Sequence, residues 1–138
     1  MFGISRPGAA AYRQLSVTSD ALAASPHQLV LMLFDGALDA ISTAQAQIDR
    51  QDTEGKGRSI TRAIDIIGSG LSASLDRQRG GEIADNLASL YDYLIRELIT
   101  ANLRNDTFLL GQCSALLQDL RASWAAITPA ASGAKVDT

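Results

Sequence analysis

Cysteine and histidine are almost missing from this chain, with one of each in 138 residues. A single cysteine, Cys113, cannot close an intrachain disulfide, so a reducing compartment is expected. One Cys and one His fall short of a zinc ligand set. The Glu-x-x-His pairs of a di-iron bundle are absent as well. Aromatic residues make up 5% of the chain and no Val/Ile/Thr-rich alternating run occurs, which leaves little to build strands from. An excess of positive charge is lacking too. The formal net charge is −3 and the 12 Lys and Arg are scattered, which argues against a general nucleic-acid binder. The longest apolar run, Leu29 to Phe34, has six residues against the roughly 20 of a membrane span. Met1 to Leu15 has no apolar stretch of the secretory-signal kind. Together these absences predict an all-α, cofactor-free, cytoplasmic domain that does not insert into a membrane.

What is present is helical periodicity. Ser25-Pro26-His27-Gln28 reads as a helix start, with Ser as N-cap, Pro at N1 and Gln closing a capping box. Val30, Phe34, Ala37, Ile41, Ala44 and Ile48 form one buried stripe in a helix running to about Arg50. Arg50 to Arg58, with Gly55 and Gly57, reads as a loop whose end merges into the next helix. The second helix is predicted from Ser59 to Leu75 on Ile60, Ile64, Ile67 and Leu71, with Arg77 to Gly81 as the break. The third runs from Glu82 to Arg104 on Ile83, Leu87, Leu90, Leu94 and Ala101, and Arg104 to Asp106 is a corner. The fourth starts at Thr107 and carries Leu110, Cys113, Leu117, Leu120, Trp124 and Ile127 inward; Pro129 lies just beyond it. Such helices span about 25 to 37 Å. Short connections make neighbours antiparallel, and the compact solution is an up-down four-helix bundle over 25–127. Residues 1–24 form an N-terminal arm or short helix, and 128–138 a tail.

Catalytic chemistry finds no foothold here. His27, at the second helical position, reads as a solvated helix-start residue, poorly placed for phosphotransfer. Cys113, on an inward stripe, reads as a small buried hydrophobe. "GKGRS" lacks the strand and the glycine spacing of a phosphate loop. No enzymatic activity is expected.

The first helix has more apolar surface than a bundle can use. Met32 falls about 200° from Val30, pointing away from the core, and Leu29 and Leu31 fall on opposite flanks. Methionine there suits an adaptable protein-binding surface. The arm, with Tyr12, Leu15 and Val17, can also fold back over it. On the third helix Tyr91 faces inward while Tyr93 and Leu103 face outward. Gly68 and Gly70 weaken the second helix, and their missing side chains can leave a shallow groove. Gly36 invites close approach by another backbone, and Asp35 is either solvated or an acceptor for an incoming chain.

Four stretches carry a resemblance: "ASPHQLVLMLFDGALDAI", "GKGRSITRAIDIIGSGL", "NLASLYDYLIRELITANLRND" and the closing Trp124. Together they resemble the flagellin-specific export chaperones, the FliS family, from about Tyr12 to Ile127. The resemblance implies a bundle that holds the disordered C-terminal segment of flagellin, prevents premature assembly and delivers the subunit to an export gate component. An anti-sigma factor stands as a further candidate partner. Tyr12, Leu15, Met32, Asp35, Tyr93 and Asn102 are the expected partner-binding residues, from motif position and outward or flanking placement. The rival reading is a self-associating helical scaffold.

Overall fold

The computed structural model describes residues 24–127, which are all-α: four helices and no strand. Helix α1 spans Pro26–Asp49. Its start is the predicted capping box: Ser25 Oγ accepts the Gln28 N–H at 3.1 Å, and Gln28 Oε1 accepts the Ser25 N–H at 3.0 Å. Helix α2 spans Thr53–Asp65 and runs without a break into a π-helical segment, Ile66–Ser72. Helix α3 spans Arg77–Arg104 and α4 spans Thr107–Ala126.

The helices follow one another up and down. α1 packs on α2, the π segment and α4, while α3 packs on α4, α2 and the same π segment, so α1 and α3 stand diagonally. At one end the Gln45 side chain reaches the Thr107 carbonyl and Lys56 reaches the Asn102 carbonyl. At the other, His27 meets Trp124. These contacts fix the antiparallel order. The core joins Phe34, Ala37, Ile41 and Ala44 of α1 to Ile60, Ile67, Leu71, Leu94, Leu98, Leu110 and Leu117. Each large aliphatic or aromatic side chain buried there contributes about 1.5–3 kcal/mol. By length and composition α1 is the one described helix apolar enough to cross a membrane. Its apolar stripe is instead packed inside the bundle.

Several boundaries differ from the periodicity. The Gly55 and Gly57 region is helical, because Asp52 caps α2 by accepting the Gly55 N–H at 3.0 Å. Gly55 is needed for space: a Cβ there would collide with the Asp52 carboxylate and the Gln47 amide. The break before α3 lies at Ala73–Asp76 rather than in "RQRGG", since Asp76 accepts the Arg79 N–H and starts a helical turn. That turn then kinks at Gly81, whose φ of 52° and ψ of −125° suit glycine alone. The α3–α4 corner is as predicted, with Asn105 in the left-handed region and Asp106 capping α4.

Two burial assignments fail. Ile83 is 72% exposed. The buried stripe of α3 is Ala84, Ala88, Tyr91, Leu94, Leu98 and Ala101, so alanines face in where large side chains were expected. Leu87 is left partly buried against the core. His27 is the second correction: it is buried, not solvated. Its ring stacks on Trp124 at 5.2 Å, its Nε2 lies 2.9 Å from the Trp124 carbonyl oxygen, and Trp124 Nε1 donates to the His27 carbonyl at 2.9 Å. The start of α1 and the end of α4 are thereby zipped together.

Candidate protein-binding surface

Helix α1 turns Phe34, Ala37 and Ile41 into the core, which forces Met32 to the outside, where it is 37% exposed. Helix α3 does the same with Tyr91 and Leu94, leaving Tyr93 45% exposed. Because α1 and α3 are diagonal, these two residues lie on opposite faces of the bundle. The structure therefore does not bring Met32 and Tyr93 together into one groove.

Asp35 is exposed but engaged. Arg121 of α4 donates to it through both Nε (2.6 Å) and an Nη (3.1 Å), a bidentate clamp that raises the guanidinium pKa still further. Neither simple solvation nor a free acceptor describes it. Asn102 is half-buried, and its backbone carbonyl accepts the Lys56 ammonium at 2.8 Å. Tyr12 and Leu15 lie outside the described residues, as do Val17 and the tail beyond Ile127.

The glycines expected to leave a groove accommodate neighbouring side chains instead. A Cβ on Gly70 would stand 2.9 Å from a Leu33 methyl, and one on Gly36 would stand 3.2 Å from Ile66. Gly36 admits a side chain, not a backbone. The α1–α2 seam is thus filled by Leu33 and Ile66.

Further exposed apolar side chains lie elsewhere. Ile99 and Leu103 lie one turn apart near the end of α3, and Phe108 follows the corner at the start of α4. Leu103 had been placed outward, but Phe108 and Ile99 carried no signal beyond falling off the inward stripes.

The titratable groups of the core are quiet. Burial, then the nearby charge of Glu97, pushes the Cys113 thiol up to about 11, and burial pushes Tyr91 up to about 12. A thiol held protonated is a poor nucleophile. The exposed surface offers apolar side chains and hydrogen-bonding groups, which is the chemistry of protein recognition.

Residues 8–131 match the family model described as flagellar protein FliS. Among named relatives, the flagellar secretion chaperone FliS of Salmonella typhimurium is 48% identical over 125 residues, which is 91% of this chain and 93% of that protein. The flagellar secretion chaperone FliS of Escherichia coli is 42% identical over 117 residues, 85% of this chain and 86% of that one. That of Bacillus subtilis is 35% identical over 114 residues, 83% and 80% respectively. With its four helices in the order the motifs implied and nearly its whole length matched, the chain belongs to the FliS family.

Proposed function

We propose that this protein is a cytoplasmic, non-enzymatic export chaperone that binds the disordered C-terminal segment of flagellin, prevents its premature polymerisation and assists its delivery to the flagellar export apparatus. The observation that carries the reading is the exposure of Met32 and Tyr93 on opposite faces of one bundle. A compact partner would reach one of them. A disordered segment can pass round the molecule and pack against both as it becomes helical. Ordering such a segment costs about 2–5 kcal/mol, which a long wrapped interface can offset. Asn102, half-buried on α3, is a further candidate contact, and Asp35 serves the surface by holding α1 to α4. Tyr12 and Leu15, outside the described residues, are candidate cargo contacts. An export gate component then recognises the loaded form, and an anti-sigma factor is a further candidate for the same surface.

The test is molecular mass in solution, with and without flagellin. A monomer that forms a 1:1 complex, and that co-purifies with endogenous flagellin, supports the chaperone. A dimer indifferent to flagellin would replace it with the self-associating scaffold.

A further inference from the structure

Helix α4 carries two charged residues in its 20, Asp119 and Arg121, and Arg121 is turned to Asp35 on α1. Helices α1, α2 and α3 each expose at least three charged side chains. A helix with water along one side ordinarily sets charged and polar residues there. Along the outside of α4 runs instead a stripe of Phe108, Gln112, Ala115, Asp119, Ala122 and Ala126, all exposed. Their spacing keeps every member within about 40° of Phe108 at 100° per residue, and alternating steps of four and three are those of a helix–helix seam. Size falls along the stripe. Phe108, 74% exposed, stands beside the α3–α4 corner, and the last two members are alanines near the His27–Trp124 end.

From this face we propose that α4 pairs with α4 of a second copy of the chain, antiparallel about a two-fold axis level with Leu117. The occupant follows from the taper. A two-fold pair sets one patch against itself, and the antiparallel order lays Phe108 of each copy over Ala126 of the other. In that register Gln112 meets Ala122 and Ala115 meets Asp119, so neither carboxylate faces its own copy. Parallel pairing would set ring on ring and Asp119 on Asp119, and like charges in contact are costly. The alanines let the helix axes approach to about 8 Å. Area sets the strength. The helix is about 30 Å long, and the outer half of a cylinder about 11 Å across gives roughly 500 Å² per copy, about 1,000 Å² for the pair. That only reaches the threshold of a specific interface, so the pair is weak, half-formed on the order of 100 μM. It does not rest on the flagellin reading: at low micromolar protein, where a 1:1 flagellin complex is weighed, the copies are apart.

Sedimentation equilibrium of the full-length protein, without flagellin, tests the pairing from about 5 μM to about 1 mM. The average mass is expected to rise from 14.6 kDa towards twice that value. Phe108→Asp and Ala122→Glu change exposed positions, so both should keep the wild-type circular dichroism and each should weaken pairing at least about tenfold. The register is read separately. A nitroxide on Ser123→Cys, at an exposed position flanking the stripe, is carried by unlabelled protein and mixed with ¹⁵N-labelled wild type; the buried Cys113 escapes the label. Broadening is expected at the amides of Phe108 to Gln112 in the other copy. A mass that stays at 14.6 kDa throughout, or pairing that is undiminished in both folded variants, overturns the proposal. Broadening centred on Asp119 to Ala126, or on another helix, overturns it too. A constant mass with α4 amides that respond to added flagellin gives the stripe to cargo and removes the pairing.

Discussion

Leu117 and Ile83 are both aliphatic residues that a helical period places inward, and only one of them is. Leu117 is fully buried, so Leu117→Ala should cost about 2–5 kcal/mol in urea unfolding. Ile83→Ala should stay within about 0.5 kcal/mol, because little of that side chain leaves water on folding. Trp124 falls between them. It is partly buried, and it also donates to the His27 carbonyl. Trp124→Ala should therefore cost about 2–3 kcal/mol, somewhat less than a fully enclosed ring. Buried protons give a second residue-level expectation. Cys113 is pushed from an ordinary 9.0 to about 11 and Tyr91 from 10.0 to about 12, both first by burial. In both cases the native state keeps a proton that the unfolded chain releases. Their stability contribution is complete below pH 9 and 10 respectively, and is lost as pH rises through about 11 and 12. Urea midpoints measured across that alkaline range should fall, and the fall should shrink in Tyr91→Phe.

At the scale of elements, the π segment Ile66–Ser72 is the unusual piece. Ile67 and Leu71 of this segment lie in the core, while Gly68 and Gly70 face the side chains of Ile95 and Leu33 on neighbouring helices. The two glycines have different reasons to be there. A Cβ on Gly68 would meet Ile95 at 3.5 Å, an ordinary contact, so Gly68→Ala should be neutral or stabilising by up to about 1 kcal/mol. On Gly70 it would come within 2.9 Å of Leu33 and force that side chain to move, so Gly70→Ala should destabilise by about 1 kcal/mol or more. Thermal melts of the two variants should therefore move apart. Equal shifts would mean that Leu33 does not fill the space beside Gly70.

For the molecule as a whole, the diagonal placement of α1 and α3 makes a statement about binding energies. Met32→Asp and Tyr93→Asp should each weaken flagellin binding by roughly 1–2 kcal/mol, the range of ordinary interface residues, and leave helical content unchanged. Because the two sites are on opposite faces and share no neighbours, their effects should add in the double variant. Calorimetry on the singles and the double checks this. A double variant no weaker than one single would confine the cargo to one face.

Helix number, the capping box at Ser25, the corner at Asn105 and most of the core followed from the sequence alone, because caps and periodic stripes depend on residues a few positions apart. The outward placement of Met32 and Tyr93 was legible for the same reason: rotation about a helix axis needs no knowledge of the neighbours. Other features were decided only by the packed structure. Whether Ile83 or Ala84 faces the core depends on how closely α3 approaches its neighbours, and close approach selects the alanine. Gly70 was read as empty space because Leu33, which occupies it, is far away in sequence. His27 looked solvated at a helix start until Trp124, at the other end of the chain, was brought against it. Local geometry decides which face a side chain takes; only the arrival of a second helix decides whether that face is covered.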